Sequence, residues 1–186
     1  MEDTAIIDLY WGRDETAISE TDRKYGNYCR TVAFNILNSR PDSEECVNDT
    51  WLHAWNAMPP QRPLKLRAFL GKITRNLALN LYERLHAKKR GGSQTDLALE
   101  ELAEIIGSAG GPEQETEAGD LSQILSAFLK TLDEEPRKMF VRRYWYMTPV
   151  KEIAGEFGCT ESKVKMTLLR TREKLREKLA EEGVTV

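Results

Sequence analysis

The residues best suited to chemistry lie between 148 and 176, where cations and small polar side chains follow a predicted turn. Pro149 to Phe157 predicts a short helix, Gly158 can take the left-handed backbone of a tight turn, and Thr160 can cap the next helix. This order is the helix-turn-helix pattern, in which the start of the second helix enters the major groove of DNA. An ordinary helical hairpin with a solvated basic face is the alternative. The residues that we expect to contact duplex DNA are Thr160, Glu161, Ser162, Lys163, Lys165, Arg170 and Arg172.

A second group of polar side chains recurs along a predicted helix from Leu64 to Ala87. Its cations suit phosphates and its amide side chains suit base edges, which together favour a nucleic-acid surface. The preceding loop, Met58 to Pro63, holds three prolines, and a rigid polar loop can receive a base taken out of the stack. A solvated helix face is the simpler alternative. The candidate residues are Gln61, Arg62, Lys65, Lys72, Arg75, Asn76, Asn80 and Arg84.

A third group lies on a predicted helix that is capped by Asp42 or Ser43 and ends before Pro59. The carboxylates at 45 and 49 could be read as a metal-binding pair, but no constellation of carboxylates or histidines elsewhere in the sequence answers them. We therefore predict no catalytic residue, no metal site and no cofactor. An acidic stripe with one exposed leucine predicts a protein-docking face instead, formed by Glu45, Asn48, Asp49 and Leu52.

The cysteines and the apolar segments limit the class of protein. Cys29, Cys46 and Cys159 are an odd and widely spaced set, which predicts free, buried or half-buried thiols rather than a disulfide framework. The sequence contains no run of about 18 apolar residues, and its acidic start lacks the basic and then apolar pattern of a secretory signal. These features predict a cytoplasmic protein without membrane insertion.

Charge alternates along the chain in four blocks. Residues 1–60 hold eleven acids and five bases, whereas residues 61–90 hold nine bases and one acid. Residues 91–120 hold eight acids and no base, and residues 136–178 hold twelve bases and five acids. Two basic blocks separated by an acidic one predict more than one partner, with nucleic acid at the basic blocks.

Helical periodicity dominates the sequence and predicts an all-α fold. Further helices are expected over about Asp3 to Trp11, Glu15 to Leu37 and Leu121 to Leu132. The glycine-rich acidic stretch 91–120 is typical of a linker, within which a short helix from Leu97 to Ile106 fits. We therefore predict two small helical domains, residues 1–90 and 121–186, joined by the acidic linker 91–120. The helix 64–87 is expected to bury an apolar stripe formed by Leu66, Phe69 or Leu70, Ile73, Leu77, Leu81 and Leu85.

Several of these segments resemble one known family. The stretches Asp42 to Trp51, Phe69 to Asn76, Glu152 to Ala154 and Val164-Lys165 are similar to those of the extracytoplasmic-function sigma factors of bacterial RNA polymerase. The resemblance extends from about residue 6 to residue 179, and it combines two motif blocks with the linker between them. It is therefore more specific than a single helix-turn-helix.

The resemblance implies a function for each segment. The basic helix and its loop would capture the promoter −10 element as a single strand, and the helix-turn-helix would read the −35 element as a duplex. The linker would thread the nucleic-acid channels of the polymerase, a role that its acids suit, and an ordinary disordered spacer is the alternative. An anti-sigma factor is a common regulator in this family. The acidic segment would grip the clamp helices of the largest subunit of core RNA polymerase through Asp42, Glu44, Glu45, Asn48, Asp49 and Leu52.

Five positions depart from the usual pattern of the family. Asn48-Asp49 stands where Gln-Glu is frequent, so that each side chain is shorter by one methylene. Phe69 replaces a frequent Trp, and Asn80 replaces a frequent Asp. Thr167 stands where an arginine is usual, which puts one expected base contact of the recognition helix in question.

Two other functions compete with a sigma factor. A stand-alone helix-turn-helix regulator would need a dimerisation surface or ligand pocket in residues 1–90, which instead carry an acidic stripe and a basic helix. A metal-dependent nucleic-acid enzyme would need convergent carboxylates, which the sequence does not offer. The sequence therefore favours a non-catalytic subunit that gives RNA polymerase its promoter specificity.

Overall fold

In the computed structural model, the residues described are 1–86, 92–106 and 115–182. All regular structure within these ranges is helical. The chain divides into two compact units, a first unit of residues 1–90 and a second unit of residues 91–186. The predicted all-α class is confirmed. No helix in the described ranges combines the length and the apolar composition that crossing a membrane requires.

The first unit is a bundle in which α2 packs against both α3 and α4. Its core joins the apolar faces of all its helices and includes Tyr10, Val47, Trp51 and Leu70. Burial of these faces is what holds such amphipathic helices together. The helices of the first unit are α1 (Asp3–Trp11), α2 (Thr16–Leu37), α3 (Arg40–Ala57) and α4 (Leu66–His86).

The connection between α2 and α3 is shorter than the sequence predicted. Asn38 ends α2 in the left-handed conformation, and Ser39 caps α3 by accepting a hydrogen bond from the backbone N–H of Asp42 at 3.5 Å. Pro41 lies in the first turn, where a missing N–H costs no helical hydrogen bond. The predicted cap at Asp42 or Ser43 is therefore wrong, because the proline begins the helix rather than preceding it.

The buried face of α4 also differs from the predicted leucine stripe. Leu77 and Leu81 are only partly buried, and Leu85 is 55% exposed. Small side chains replace them because α4 passes close to its neighbours: the Thr74 hydroxyl lies 3.1 Å from that of Thr50 on α3. The buried residues of α4 are Leu66, Leu70, Gly71, Thr74, Ala78 and Tyr82.

The short helix that was predicted within the stretch 91–120 is present, and it belongs to the second unit rather than to a linker. Residues 94–106 form α5, which packs against α7 and α9. Residues 107–114 of that predicted linker lie outside the described residues. The helices of the second unit are α5 (Gln94–Ile106), α6 (Glu115–Thr131), α7 (Glu134–Tyr144), α8 (Val150–Glu156) and α9 (Glu161–Glu181).

The three thiols are expected to differ sharply in reactivity. All three are free; Cys29 and Cys46 are buried, and Cys159 is half-buried. Burial raises the pKa of Cys29 to about 11 and that of Cys46 to about 12, so that both stay protonated at pH 8. Because the thiolate is the reactive form, native protein titrated with a disulfide reagent at pH 8 should release one fast equivalent, from Cys159. The two others should react at least about 100-fold more slowly until denaturant is added. Three fast equivalents in the native protein would contradict this expectation.

Candidate nucleic-acid interface

The second unit contains the predicted helix-turn-helix, formed by α8 and α9. Gly158 takes a φ of +59° in the turn, a conformation that a residue with a Cβ adopts only at a cost. The Thr160 hydroxyl accepts a hydrogen bond from the backbone N–H of Lys163 at 3.2 Å, which confirms the predicted cap. Ala154 is buried where α8 meets α9, and Val164 and Leu168 anchor α9 in the core.

The leading end of α9 is open to solvent. Lys163 pairs with Glu135 on α7 at 2.7 Å, and this carboxylate raises the pKa of the ammonium group. Both partners are about half exposed, so the pair is worth little and can exchange for a phosphate contact. The exposed members of the predicted duplex-binding set are Thr160, Glu161, Ser162, Lys163, Lys165 and Arg170.

Arg172 is positioned differently from the rest of that set. Its Nη1 donates to the Tyr144 hydroxyl at 2.6 Å and to the Glu101 carboxylate at 3.3 Å, and its side chain is 16% exposed. Glu101 also holds the buried Arg143 and accepts a hydrogen bond from the Tyr144 hydroxyl at 2.7 Å. Burial, followed by the hydrogen bond to Glu101, raises the pKa of Tyr144, which keeps its hydroxyl protonated. Arg172 thus differs from the exposed members of the set, because it is paired inside the second unit with an acid on α5, and its contact with DNA stays a prediction.

Glu101 and Arg143 are not among the residues that the sequence predicts to be functional. Glu101 lies 42 residues before Arg143 and 71 before Arg172, so no local periodicity relates these three charges. The available signal was the contrast between an acidic helix, 94–106, and the basic block that follows it. That contrast was interpreted as a linker next to a DNA-binding helix rather than as an internal contact.

The basic face of the first unit follows α4. Lys72, Asn76, Asn80 and Arg84 are all exposed along it. Arg75 is half-buried beside them, and burial lowers the pKa of its guanidinium group. The predicted four-residue spacing therefore produces a continuous polar stripe, with Arg75 set below its surface.

The proline-rich loop before α4 presents polar side chains and is held against α1. Gln61, Arg62 and Lys65 are exposed. Arg62 forms an ion pair with Asp8, and its guanidinium carbon lies 5.6 Å from the ring centroid of Trp11. The loop thus carries the residue types of a single-strand nucleic-acid site and is held to α1 through the Arg62 side chain.

The acidic face of α3 is largely free of internal contacts. Glu45, Asn48 and Asp49 are exposed, and Leu52 is 57% exposed. No ion pair joins Glu45 or Asp49 to another residue in the described part of the chain. A charged face of this kind around an exposed leucine suits a protein partner.

Two predicted docking residues have internal partners. Glu44 accepts two hydrogen bonds from Nε of Arg30, both at 3.0 Å, and therefore faces α2. Asp42 is half-buried at the start of α3, where its N–H is capped by Ser39. The open part of the face is thus Glu45, Asn48, Asp49 and Leu52, as the spacing predicted.

A cleft of about 320 Å³ separates the acidic face of α3 from the basic stripe of α4. Leu77 and Leu81, which the sequence analysis expected in the core, line it. They are left partly exposed because smaller residues of α4 make the close contacts with α2 and α3. The remaining lining residues are Glu45, Cys46, Asp49, Asn80 and Arg84.

Comparison with known families identifies both units. The family model described as sigma-70 region 2 matches residues 22–88, and that described as sigma-70 region 4 matches residues 122–175. The chain belongs to the sigma-70 family. It is also 24% identical over 180 residues to the ECF RNA polymerase sigma factor SigE of Mycolicibacterium smegmatis, covering 95% of this chain and 67% of that protein. The resemblance to extracytoplasmic-function sigma factors is confirmed.

The matched regions place the candidate faces within this sigma factor. Region 2 contains the acidic face of α3, the proline-rich loop and the basic stripe of α4. Region 4 contains the helix-turn-helix with the whole predicted duplex-binding set. Helices α1 and α5 lie outside both matched regions, although each contacts a candidate site. Proteins of this family are in general initiation factors rather than enzymes, and the described residues contain no group of three potential metal ligands.

The cap of α9 offers a test of how the recognition helix is held. Replacing Thr160 with alanine removes the acceptor of the Lys163 N–H and should destabilise the second unit by about 1 kcal/mol. Hydrogen exchange at the first turn of α9 should accelerate accordingly, whereas Thr160→Ser should keep wild-type exchange because it retains the hydroxyl. Equal exchange rates in Thr160→Ala and wild type would show that the cap contributes nothing.

Proposed function

We propose that this sigma factor binds core RNA polymerase through α3 of the first unit and directs it to promoters through two DNA-reading faces. The polymerase-binding set is the open face Glu45, Asn48, Asp49 and Leu52, with Asp42 and Glu44 at its edge. The loop and the stripe of α4 would read the −10 element as a single strand, and α9 would read the −35 element as a duplex. The observation that carries the proposal is the presence, in one chain matching both sigma regions, of two exposed cationic faces and an acidic face that forms no ion pair within the described ranges.

The energetic principle of this proposal is tethering. Each DNA-reading face is small, and on its own it would bind weakly at physiological salt. Core polymerase and the intervening chain would hold both faces near one promoter, so that the second contact forms at a high effective concentration. The finer expectations follow the family resemblance: the clamp helices of the largest subunit as the partner of α3, an anti-sigma factor as regulator, and a cytoplasmic location.

The acidic stretch that was predicted to thread the polymerase channels contains a carboxylate that is bonded inside the second unit. The carboxylate of Glu101 already binds Arg143, Tyr144 and Arg172 inside the second unit. It is therefore not available to act as a mimic of the nucleic-acid backbone in a channel. Threading is therefore proposed only for residues 107–114, between α5 and α6.

The test is reconstitution of the full chain with bacterial core RNA polymerase. We expect the protein to co-elute with core and to start transcription at discrete sites on selected promoter fragments, whereas core alone should not. We also expect the free protein to bind promoter duplex more weakly than 1 μM at physiological salt, on the order of a non-specific contact. Absence of binding to core, together with nanomolar binding of duplex by the protein alone, would overturn the proposal in favour of a stand-alone regulator.

A further inference from the structure

Helix α1 lies outside the region 2 match, yet it is bonded to the proline-rich loop at two successive residues. The Trp11 Nε1 donates a hydrogen bond to the carbonyl oxygen of Gln61 at 3.3 Å. The next residue, Arg62, pairs with Asp8 and covers the Trp11 ring. One turn of α1 therefore holds both the backbone and a side chain of the loop.

The start of the loop is fixed as well. The Gln61 N–H donates to the carbonyl oxygen of Ala57 at 3.0 Å, and Met58 is fully buried. Just after α1, Arg13 donates to the Trp55 carbonyl at 2.8 Å and lies 5.3 Å from the centroid of its ring. The end of α3 and the loop are thus gripped by the same short segment, residues 8–13.

Helix α1 can serve as a brace because it is itself anchored in the core. Ile6, Ile7 and Tyr10 are buried, and the Tyr10 hydroxyl lies 3.0 Å from that of Thr21 on α2. Asp8 and Trp11 lie on the other side of the helix, where both are exposed. Their contacts with the loop therefore lie at the surface rather than in the core. We infer that these contacts determine where the loop lies.

These contacts fix the backbone of Gln61 but not its side chain. Both its backbone N–H and its carbonyl are engaged, whereas its side chain is exposed. An amide side chain on a fixed backbone can donate to and accept from the edge of an unpaired base with little loss of freedom. Arg62, in contrast, is held by two contacts together, its ion pair with Asp8 and its position over the Trp11 ring, rather than by an exposed ion pair alone.

We propose that Asp8 and Trp11 are positioning residues for single-strand base reading, acting through Arg62 to hold the side chain of Gln61 in place. This inference rests on the proposed function of the loop and deepens it. It assigns Arg62 to the brace rather than to base contact. Asp8 and Trp11 act through the loop and do not touch DNA.

The experiment uses holoenzyme reconstituted with wild type, Asp8→Asn or Trp11→Ala. Binding to single-stranded oligonucleotides of the −10 element is measured with each base in turn at every position. We expect both variants to bind the preferred strand about 10-fold more weakly and to lose most of the base preference at one position, because the amide is no longer held in register. Core affinity, binding of the −35 duplex and the Tm of the first unit should stay at wild-type values.

Two matched variants complete the design. Asp8→Glu keeps a carboxylate for Arg62 and should retain the base preference. Glu15→Gln removes an exposed carboxylate of the same unit that makes no side-chain cap, and it should behave as wild type. Both are measured with the same oligonucleotides, so that a general effect of surface charge is separated from the brace.

The outcomes are distinguishable. If wild-type holoenzyme discriminates bases but Asp8→Asn and Trp11→Ala discriminate equally well, the positioning inference is wrong and the proposed function stands. A fall in core affinity or in Tm that parallels the lost preference would also overturn it, because α1 would then only stabilise the unit. If wild-type holoenzyme itself does not bind the strand, the proposed function of the loop fails.

Discussion

Replacing Glu45 and Asp49 together with lysine is expected to weaken binding to core RNA polymerase by about 100-fold. Both carboxylates are exposed on α3, four residues apart, beside Leu52. Reversal turns two attractive contacts with a basic partner into two repulsive ones and also slows the electrostatically steered encounter. The dissociation constant is measured by fluorescence anisotropy of labelled protein titrated with core, at 50 and 300 mM salt. The difference between variant and wild type should shrink at the higher salt because exposed charges are screened.

The matched control is the double variant Glu2→Lys, Glu15→Lys. It changes the net charge of the same unit equally, at two N-cap residues whose side chains make no capping bond. We expect it to bind core within about threefold of wild type, since surface substitutions away from an interface have small effects. If both double variants lose affinity to the same extent, net charge rather than the face of α3 governs binding, and the docking proposal would have to be abandoned.

Replacing Glu101 with alanine is expected to destabilise the second unit by about 3 kcal/mol. Arg143 has a side chain that is only 2% exposed, and Glu101 lies 3.3 Å from its Nη2 and 3.3 Å from Nη1 of Arg172. Without the carboxylate, a buried guanidinium loses its counter-charge while still lacking water, which costs more than the bond itself contributes. Hydrogen exchange resolved by peptide is the measurement, because it separates the opening free energy of the second unit from that of the first.

The substitution Glu104→Ala provides the comparison on the same helix. Its side chain is exposed, and Arg176 binds its backbone carbonyl rather than its carboxylate, so that this bond survives the change. We expect a loss within about 0.5 kcal/mol. Equal destabilisation by the two variants would mean that Glu101 acts through helix charge alone, and would contradict the role assigned to its contacts with Arg143 and Arg172.

Local signals in the sequence predicted the elements well. The bounds Asp3–Trp11 of α1 were predicted correctly, and Thr160 caps α9 as expected. These features depend on residues within one or two turns of each other, where capping and periodicity act. The start of α3 shows the limit of such signals, since Pro41 could either end a loop or begin a helix, and only the cap at Ser39 decides.

The features that were not predicted depend on contacts between distant residues. The leucines of α4 had the correct helical spacing, but the close approach of neighbouring helices selected Gly71, Thr74 and Ala78 for burial. Arg172 has the charge of a DNA contact, and nothing near it in the sequence indicates that it pairs with Glu101. Composition therefore predicted which charges are present, whereas tertiary packing decides which of them face solvent.

The docking of α5 determines where this protein can be cut and recombined with a relative. A chimaera that takes its −35-reading part from residue 121 onward would leave α5 behind, and with it the carboxylate that pairs with both Arg143 and Arg172. The transplanted part would then keep both guanidinium groups and lose the one acid that they share. A junction at residue 92 moves α5 together with the helices it contacts. Exchange of promoter specificity between relatives should therefore succeed with the longer graft and yield poorly folded or promiscuous hybrids with the shorter one.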